Sequence, residues 1–306
     1  EKIKEIIQNY NLGNFLKAES LVKRLLTRDS KDYQLCNIYG LILLKLHKTE
    51  GAISYFQRSI HIKSNFFEAH FNLLKLLYDL KKYDEAILQS KKCLKINSKS
   101  TDTLLLLGNL YSKLNQDNKS EKYFREILKI NSEDSNAYYS LANLFKKKVD
   151  YEKAIDNYKF AIKFNKNYFA AYNNLGALYQ EIGKFDLAIL NFKSVIKINP
   201  SFSGAYQNYL FCLNFSRYFD LNLYLKLAQE FKQSLPKIDL DKIRQFPKII
   251  KTDKKIRIGF VSGDYGNHPV SYYLLNTINH ISDEKFKLIA YSNSNRMDEI
   301  TLKLKK

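Results

Sequence analysis

Small residues recur every 34 positions through the first two hundred residues of the chain. One register holds Ala18, Ala52, Ala86, Ser120, Ala154 and Ala188. A second register runs through Gly40, Leu74, Gly108, Ala142 and Gly176. Large residues follow both registers at helical spacing, three or four positions later. Because a unit of this length can bury its apolar face only by stacking on neighbours, the pattern predicts an array of helix pairs.

We expect the small residue of the first helix to face the small residue of the second, so that the two backbones approach closely. The large residues would then fill the grooves on either side. Leu74 departs from this pattern at a small position, and Ser90 departs from it at a large one. A bulky Leu74 should push its helix pair apart or be accommodated by a smaller neighbour. Ile6 takes the small position of the first unit, which we therefore expect to be the weakest.

The clearest copy of the unit reads Ala171-Tyr172-Asn173-Asn174-Leu175-Gly176-Ala177-Leu178-Tyr179, followed by Ala188, Phe192 and Pro200. This pattern resembles the tetratricopeptide repeat. The resemblance covers residues 1–202 as about six units, with boundaries near 33, 67, 101, 135 and 169. It implies a mainly α fold, an α-solenoid with a right-handed superhelix, whose first helices line a concave face.

Asparagine recurs on the predicted first helices. Asn72, Asn174 and Asn208 take the sixth position of their units, and Asn109 and Asn143 lie three residues further on in theirs. A carboxamide carries a donor and an acceptor, so these five side chains are candidates for holding the backbone of an extended peptide or acceptor protein. The alternative is that asparagine is simply common in this chain and occupies a solvated helix face. No second or sixth position of the units at 33–169 carries a basic residue, which argues against a clamp for a terminal carboxylate.

The helical pattern changes after the array. Residues 203–235 keep helical periodicity but lose the 34-residue phase, since Asn222 stands where alanine is expected, and they are predicted to be capping helices. Residues 236–254 form a connector that contains proline and lysine. Residues 255–306 then begin with a short apolar run at 256–261, typical of a buried parallel strand. A helix through about Asn279 and a second strand at 286–291 would complete a βαβ unit, the start of an incomplete α/β domain.

The segment Arg257-Ile258-Gly259-Phe260-Val261-Ser262-Gly263-Asp264-Tyr265-Gly266-Asn267-His268-Pro269, placed after such an array, resembles the O-linked N-acetylglucosamine transferase family with its SPINDLY-like relatives. The resemblance implies a GT-B-like domain. It also implies transfer of N-acetylglucosamine from UDP-N-acetylglucosamine to serine or threonine hydroxyls.

By this resemblance, His268 is the catalytic candidate, as a base or as a group that orients substrate. The residues of the cleft loop would be Asp264, Gly266, Asn267 and Pro269. No metal and no cofactor are implied, and the donor-sugar site would lie mostly outside this chain. Tyr272 stands where animal members carry a second histidine, and the sugar could be fucose, as in some relatives. We expect the chain to be inactive alone, because the donor-sugar site would lie mostly outside it. The alternative function is a non-catalytic protein-interaction scaffold.

The composition limits the classes of binding partner that we expect. The net charge is +19, from 50 Lys and Arg against 31 Asp and Glu, but the basic residues are spread along the chain and lysine dominates. Nucleic-acid sites favour arginine for planar contacts, so a nucleic-acid partner is disfavoured. The three cysteines fit a reducing compartment, and no apolar run is long enough to span a membrane, so a cytoplasmic location is expected. The start at Glu1 and the end at Lys306 suggest a piece of a longer protein, from which a targeting segment could be missing.

Overall fold

The computed structural model describes residues 2–217, 219–235, 256–262 and 286–292, which fall into two units, 1–236 and 237–306. The described part of the first unit is helical. In chain order its helices are α1 (Lys2–Asn11), α2 (Phe15–Leu26), α3 (Tyr33–Lys45), α4 (Thr49–Ile62), α5 (Phe67–Asp79), α6 (Tyr83–Ile96), α7 (Thr101–Lys113), α8 (Asp117–Ile130), α9 (Ser135–Lys147), α10 (Tyr151–Phe164), α11 (Phe169–Glu181), α12 (Phe185–Ile198), α13 (Ser203–Leu213) and α14 (Leu221–Ser234).

The odd-numbered helices are the first helices of the repeats. From α3 to α11 they begin at the boundaries that the 34-residue period predicts. The phase does not end at 203, because α13 begins at Ser203, one full period after the start of α11 at Phe169. It is lost only in α14, which begins at Leu221, two residues later than the register requires. Asn222 is therefore an exposed residue in the first turn of a shifted helix.

Contacts between repeats are made mainly through the first helices. Each second helix touches the next first helix, and α3 contacts α5, α5 contacts α7, α7 contacts α9 and α11 contacts α13. Among the described second helices, no successive pair makes a comparable contact. The first helices therefore form the more tightly packed side of the array. The handedness of the superhelix stays a prediction.

The expectation that small residues face each other was wrong for the glycine positions. A Cβ added to Gly40 would come within 2.5 Å of Phe56 Cε1, and one added to Gly176 within 2.9 Å of Phe192 Cε1. Gly108 faces the Phe124 ring in the same way. The missing side chain thus makes room for an aromatic ring on the second helix of the same repeat, and this ring fills the space between the backbones.

The two departures from the pattern belong to one such pair. Leu74 and Ser90 are separated along the chain by the same interval as Gly40 and Phe56, and both are fully buried. The leucine occupies the glycine position, and the serine occupies the position of the ring. Of the two outcomes considered for Leu74, accommodation by a smaller neighbour therefore fits. In the first repeat the same two positions hold Ile6 and Val22, which are closer to each other in size, and both are fully buried.

The turn inside each repeat contains one residue in the left-handed backbone region. Its φ is 80° at Gly13, 58° at His47, 59° at Lys81, 57° at Asn115, 61° at Val149 and 75° at Gly183. Glycine adopts this conformation without steric cost, whereas a side chain costs about 1–2 kcal/mol. Val149 is the least suited of the six, because it is β-branched and 66% exposed, so packing compensates little.

Asparagine also has a structural role between repeats. Asn97, Asn131, Asn165 and Asn199 follow the last residues of α6, α8, α10 and α12. Each carboxamide oxygen accepts a hydrogen bond from the backbone N–H two residues later, at 3.1 to 3.3 Å. This turn is a local property of asparagine, and it accounts for part of the frequency of this residue in the chain.

In the second unit, β1 (Ile256–Ser262) pairs in parallel with β2 (Phe286–Ser292), in register from Ile256 opposite Phe286 to Ser262 opposite Ser292. A parallel pair needs a long crossover connection, as a βαβ unit provides. Residues 263–285, which would hold the helix, lie outside the described residues. The βαβ unit and the GT-B-like domain therefore stay predictions.

Candidate functional site

The face of the first helices that is directed away from the second helices is half-buried along the array. At the sixth position of successive repeats stand Ile38, Asn72, Leu106, Ser140, Asn174 and Asn208, each of intermediate exposure. We call this surface the inner face. Residues on the inner face are neither packed in the core nor fully exposed to solvent. This face is therefore a candidate for recognition of a ligand.

The inner face changes character along the chain. In α3 to α7 it is mainly apolar, with half-buried Ile38, Leu41, Leu44, Phe71, Leu105 and Leu106. The exposed Lys75 places its Nζ 5.1 Å from the centre of the Phe71 ring. From α9 onward the same positions are mainly polar and rich in asparagine, and Ala177 and Phe211 are the apolar exceptions. A segment bound here would meet an apolar half and then a half rich in hydrogen-bonding groups.

Three of the five predicted asparagines are engaged by neighbouring first helices. Asn72 Nδ2 donates to Asn37 Oδ1 at 3.0 Å, which links α5 to α3. Asn174 Nδ2 donates to the Tyr139 hydroxyl at 3.0 Å and to Asn143 Oδ1 at 3.1 Å, which links α11 to α9. These bonds occupy Asn72 Nδ2, Asn143 Oδ1 and Asn174 Nδ2, so a ligand that uses these atoms must compete with bonds already made within the chain.

The polar half is connected to the core through Tyr158. This residue is fully buried on α10, and its hydroxyl donates to Asn143 Oδ1 at 2.6 Å. Burial raises the pKa of Tyr158 well above its ordinary value, so the hydroxyl stays protonated and acts as a donor. Asn143 is thereby held from the core side while it accepts from Asn174.

Asn109 and Asn208 have no hydrogen-bond partner among the described residues, although both are half-buried. Their carboxamides are whole donor and acceptor groups that the chain itself leaves unused, whereas Asn173 donates to Asn174 and leaves only its buried Oδ1 without a partner. Sequence reasoning had no means to separate them from the engaged asparagines, and it missed Asn37, Tyr139 and Tyr158. A signal for Tyr158 was present, because it is the only tyrosine among the residues that follow the alanine register by four positions.

Ion pairs between repeats border the polar half. Lys146 Nζ lies 3.0 Å from Glu181 Oε2, and Lys147 Nζ lies 2.8 Å from Asp117 Oδ1. The hydrogen bond from the Tyr151 hydroxyl, together with Lys146, lowers the pKa of Glu181 below its ordinary value. Such exposed pairs contribute little stability, but they neutralise lysines that would otherwise attract anions to this border.

The predicted catalytic residue and cleft loop fall in the part of the chain between β1 and β2. His268, Asp264, Gly266, Asn267 and Pro269 follow the last residue of β1, Ser262, and lie outside the described residues. In the described ranges, no group of three or more His, Cys, Asp and Glu side chains could hold a metal ion. None of the described helices is long and apolar enough to cross a membrane.

Comparison with known proteins identifies the repeats. Tetratricopeptide-repeat family models match residues 67–100, 101–134 and 169–202, and a TPR repeat model matches residues 150–183. Residues 67–134 and 150–202 are therefore tetratricopeptide repeats, and the described part of the first unit forms a helical solenoid of this kind.

The similarities to individual proteins support the repeat fold and do not assign an activity. An uncharacterized protein of Rickettsia prowazekii (strain Madrid E) is 36% identical over 106 residues, which are 34% of this chain and 31% of that protein. The crystal structure of a tetratricopeptide repeat protein from Parabacteroides merdae is similar with a TM-score of 0.59 at 18% identity, covering 76% of this chain and 98% of that one. An O-GlcNAc transferase mutant of Thermobaculum terrenum reaches a TM-score of 0.42 at 22% identity, over 67% of this chain and 39% of that one. The last likeness is too weak to carry an argument about activity.

The hydrogen bond between Tyr158 and Asn143 predicts a difference between two equivalent asparagines. Asn143→Ala leaves a buried hydroxyl without an acceptor, so the free energy of unfolding should fall by about 1–3 kcal/mol in denaturant titrations. Asn109→Ala, at the same position of the preceding repeat, is the matched control and should change it by less than about 0.5 kcal/mol. Equal losses in the two variants would show that the bond to Tyr158 does not hold Asn143.

Proposed function

We propose that this chain is a protein-interaction scaffold whose inner face binds an extended segment of a partner protein. The observation that carries the proposal is the continuous half-buried surface of α3 to α13, which runs from an apolar half to an asparagine-rich half. Half-buried apolar side chains supply contact area. Carboxamides can pair with the backbone of a peptide whatever its side chains are.

The division of the asparagines makes the proposal more specific. Asn37, Asn72, Asn143 and Asn174 hold neighbouring first helices together and keep the face in shape. Asn109 and Asn208 retain their hydrogen-bonding capacity for a ligand. A face organised before binding loses less conformational entropy when the ligand arrives, which favours affinity.

Binding can be tested with peptides selected from a random display library on the immobilised protein and measured by fluorescence anisotropy. Asn109→Ala combined with Asn208→Ala should weaken binding about 5- to 30-fold, as the loss of two hydrogen bonds predicts. Asn118→Ala, on the exposed side of α8, is the control and should leave the affinity unchanged. If the double variant binds as tightly as the unmodified protein, the inner face is not the binding site.

A second candidate function is that of a protein O-glycosyltransferase to which the array presents the acceptor. It is favoured by the parallel pair of β1 and β2, with the segment 263–269 directly after β1, as the resemblance to O-linked N-acetylglucosamine transferases implies. His268 would then act in the cleft, either as the base or by orienting the substrate.

This candidate can be tested with the protein expressed from its complete gene, incubated with radiolabelled UDP-N-acetylglucosamine and protein acceptors. Transfer of label that drops at least tenfold in His268→Ala would support it, in line with the 10²- to 10⁴-fold contribution of general acid–base catalysis. Absence of transfer by the unmodified protein would contradict transfer of N-acetylglucosamine to these acceptors and favour the scaffold.

A further inference from the structure

A buried hydroxyl near the end of the array lacks the partner that its counterpart in the first repeats has. Tyr209, on α13, is 3% exposed, and its hydroxyl oxygen is buried with no hydrogen-bond partner among the described residues. Tyr39 stands at the equivalent position of an earlier repeat, on α3. Its hydroxyl donates to Glu19 Oε1 at 3.2 Å. The two tyrosines therefore allow one site to be compared with and without its acceptor.

Glu19 organises the complete version of this site. It is 7% exposed, and its carboxylate accepts from Lys48 Nζ at 2.9 and 3.0 Å as well as from Tyr39. Lys23, one turn further along α2, places its Nζ 3.1 Å from the same carboxylate. The hydrogen bond from Lys48 holds the pKa of Glu19 below its ordinary value, so the group is ionised at neutral pH. One carboxylate thus satisfies a buried hydroxyl and two lysines.

Near the end of the array the hydroxyl and one lysine are present without the carboxylate. Lys193 is equivalent to Lys23, but Ile189 stands where the first repeat has Glu19. Lys193 Nζ lies 5.6 Å from the centre of the Tyr209 ring and makes no ion pair among the described residues. Leaving a buried hydroxyl unpaired is costly, so an acceptor from outside the chain would relieve this cost.

The space for such an acceptor is a cavity of about 280 Å³ between α12, α13 and α14. Its apolar wall is formed by Ile189, Leu190, Leu213 and Leu223. Tyr209 and Lys193 line both this cavity and a neighbouring one of about 170 Å³. Leu190 is 59% exposed, which leaves an apolar side chain uncovered beside the site.

Lys226 and Glu230 line the neighbouring cavity and balance each other in charge, whereas the charges around the cavity of about 280 Å³ favour an acid. The one carboxylate of its lining, Asp186, already accepts from the Ser216 hydroxyl at 2.6 Å and from Arg217 Nε at 3.2 Å. Lys193 is exposed and can rotate off the tyrosine ring to admit a ligand to the hydroxyl. The net charge of +19 adds a long-range attraction for an acidic partner.

We propose that this cavity binds an aspartate or glutamate side chain from an apolar segment of a partner protein. The carboxylate would accept from the Tyr209 hydroxyl and from Lys193, as Glu19 does from Tyr39 and Lys23. The apolar residues beside the acid would cover Leu190. This site lies between α12, α13 and α14, and its lining does not include the sixth-position residues of the inner face, so it does not depend on the peptide-binding role proposed above.

The first test needs no partner. Ile189→Glu introduces the acid of the first repeat and should satisfy Tyr209 and Lys193 from within the chain. Because Ile189 is 7% exposed and Ile155 is half-buried, the control keeps the same position: Tyr209→Phe removes the hydroxyl in the Ile189→Glu background and in the unmodified protein. Tyr209→Phe should lower the denaturation midpoint of Ile189→Glu and leave that of the unmodified protein unchanged or higher. Equal effects of Tyr209→Phe in the two backgrounds would overturn the proposal.

The second test uses two fluorescein-labelled acetylated peptides that differ only in a central Leu-Glu-Leu or Leu-Gln-Leu sequence. The glutamate peptide should bind about tenfold more tightly, as expected for hydrogen bonds to a charged group. Tyr209→Phe and Lys193→Met should remove most of this preference, and Ile189→Glu should abolish binding. Lys159→Met is the control and should leave the preference intact.

Competition with hexanoate distinguishes a free acid from a protein segment. We expect the glutamate peptide to bind and hexanoate to displace it only weakly. Equal binding of the two peptides would overturn the proposal, and so would saturation of the cavity by hexanoate without binding of the glutamate peptide.

Discussion

The array depends on sharing a fixed volume between the two helices of each repeat. One position on the first helix and the position facing it on the second helix divide this volume between them. Where the first holds glycine, the second holds phenylalanine, as in Gly40 with Phe56 and Gly176 with Phe192. Where the first holds Leu74, the second holds Ser90. Because interiors are close-packed, neither member of a pair can change much unless the other changes as well.

This constraint leaves the inner face free to vary. The sixth positions of the first helices take no part in sharing the volume, and they range from Ile38 and Leu106 to Asn174 and Asn208. At one place the core reaches the inner face. Tyr158 occupies the position of the ring opposite Ala142, and its added hydroxyl bonds to Asn143. The buried pair of α9 and α10 therefore also fixes the polar half of the inner face.

The sequence was sufficient for elements that depend on local pattern. The 34-residue period predicted where the first helices begin, and the apolar runs predicted β1 and β2. The period alone could not show that Gly40 faces Phe56, because it gives spacing along the chain and not which side chains meet. Nor could it show that Asn72, Asn143 and Asn174 bond across neighbouring first helices. The unpaired hydroxyl of Tyr209 could be recognised only from the spacing along the chain together with the contacts in the structure. The sequence did carry one signal, because Ile189 stands at the position equivalent to Glu19.

The most direct test of shared volume is a double-mutant cycle on Leu74 and Ser90, followed by the free energy of unfolding. Leu74→Gly alone should cost about 3–5 kcal/mol through the cavity it leaves, and Ser90→Phe alone about 1–3 kcal/mol through overpacking. The double variant reproduces the pairing of Gly40 with Phe56, so it should be more stable than the sum of the two losses implies by at least about 1 kcal/mol. Losses that add within about 0.5 kcal/mol would contradict the account.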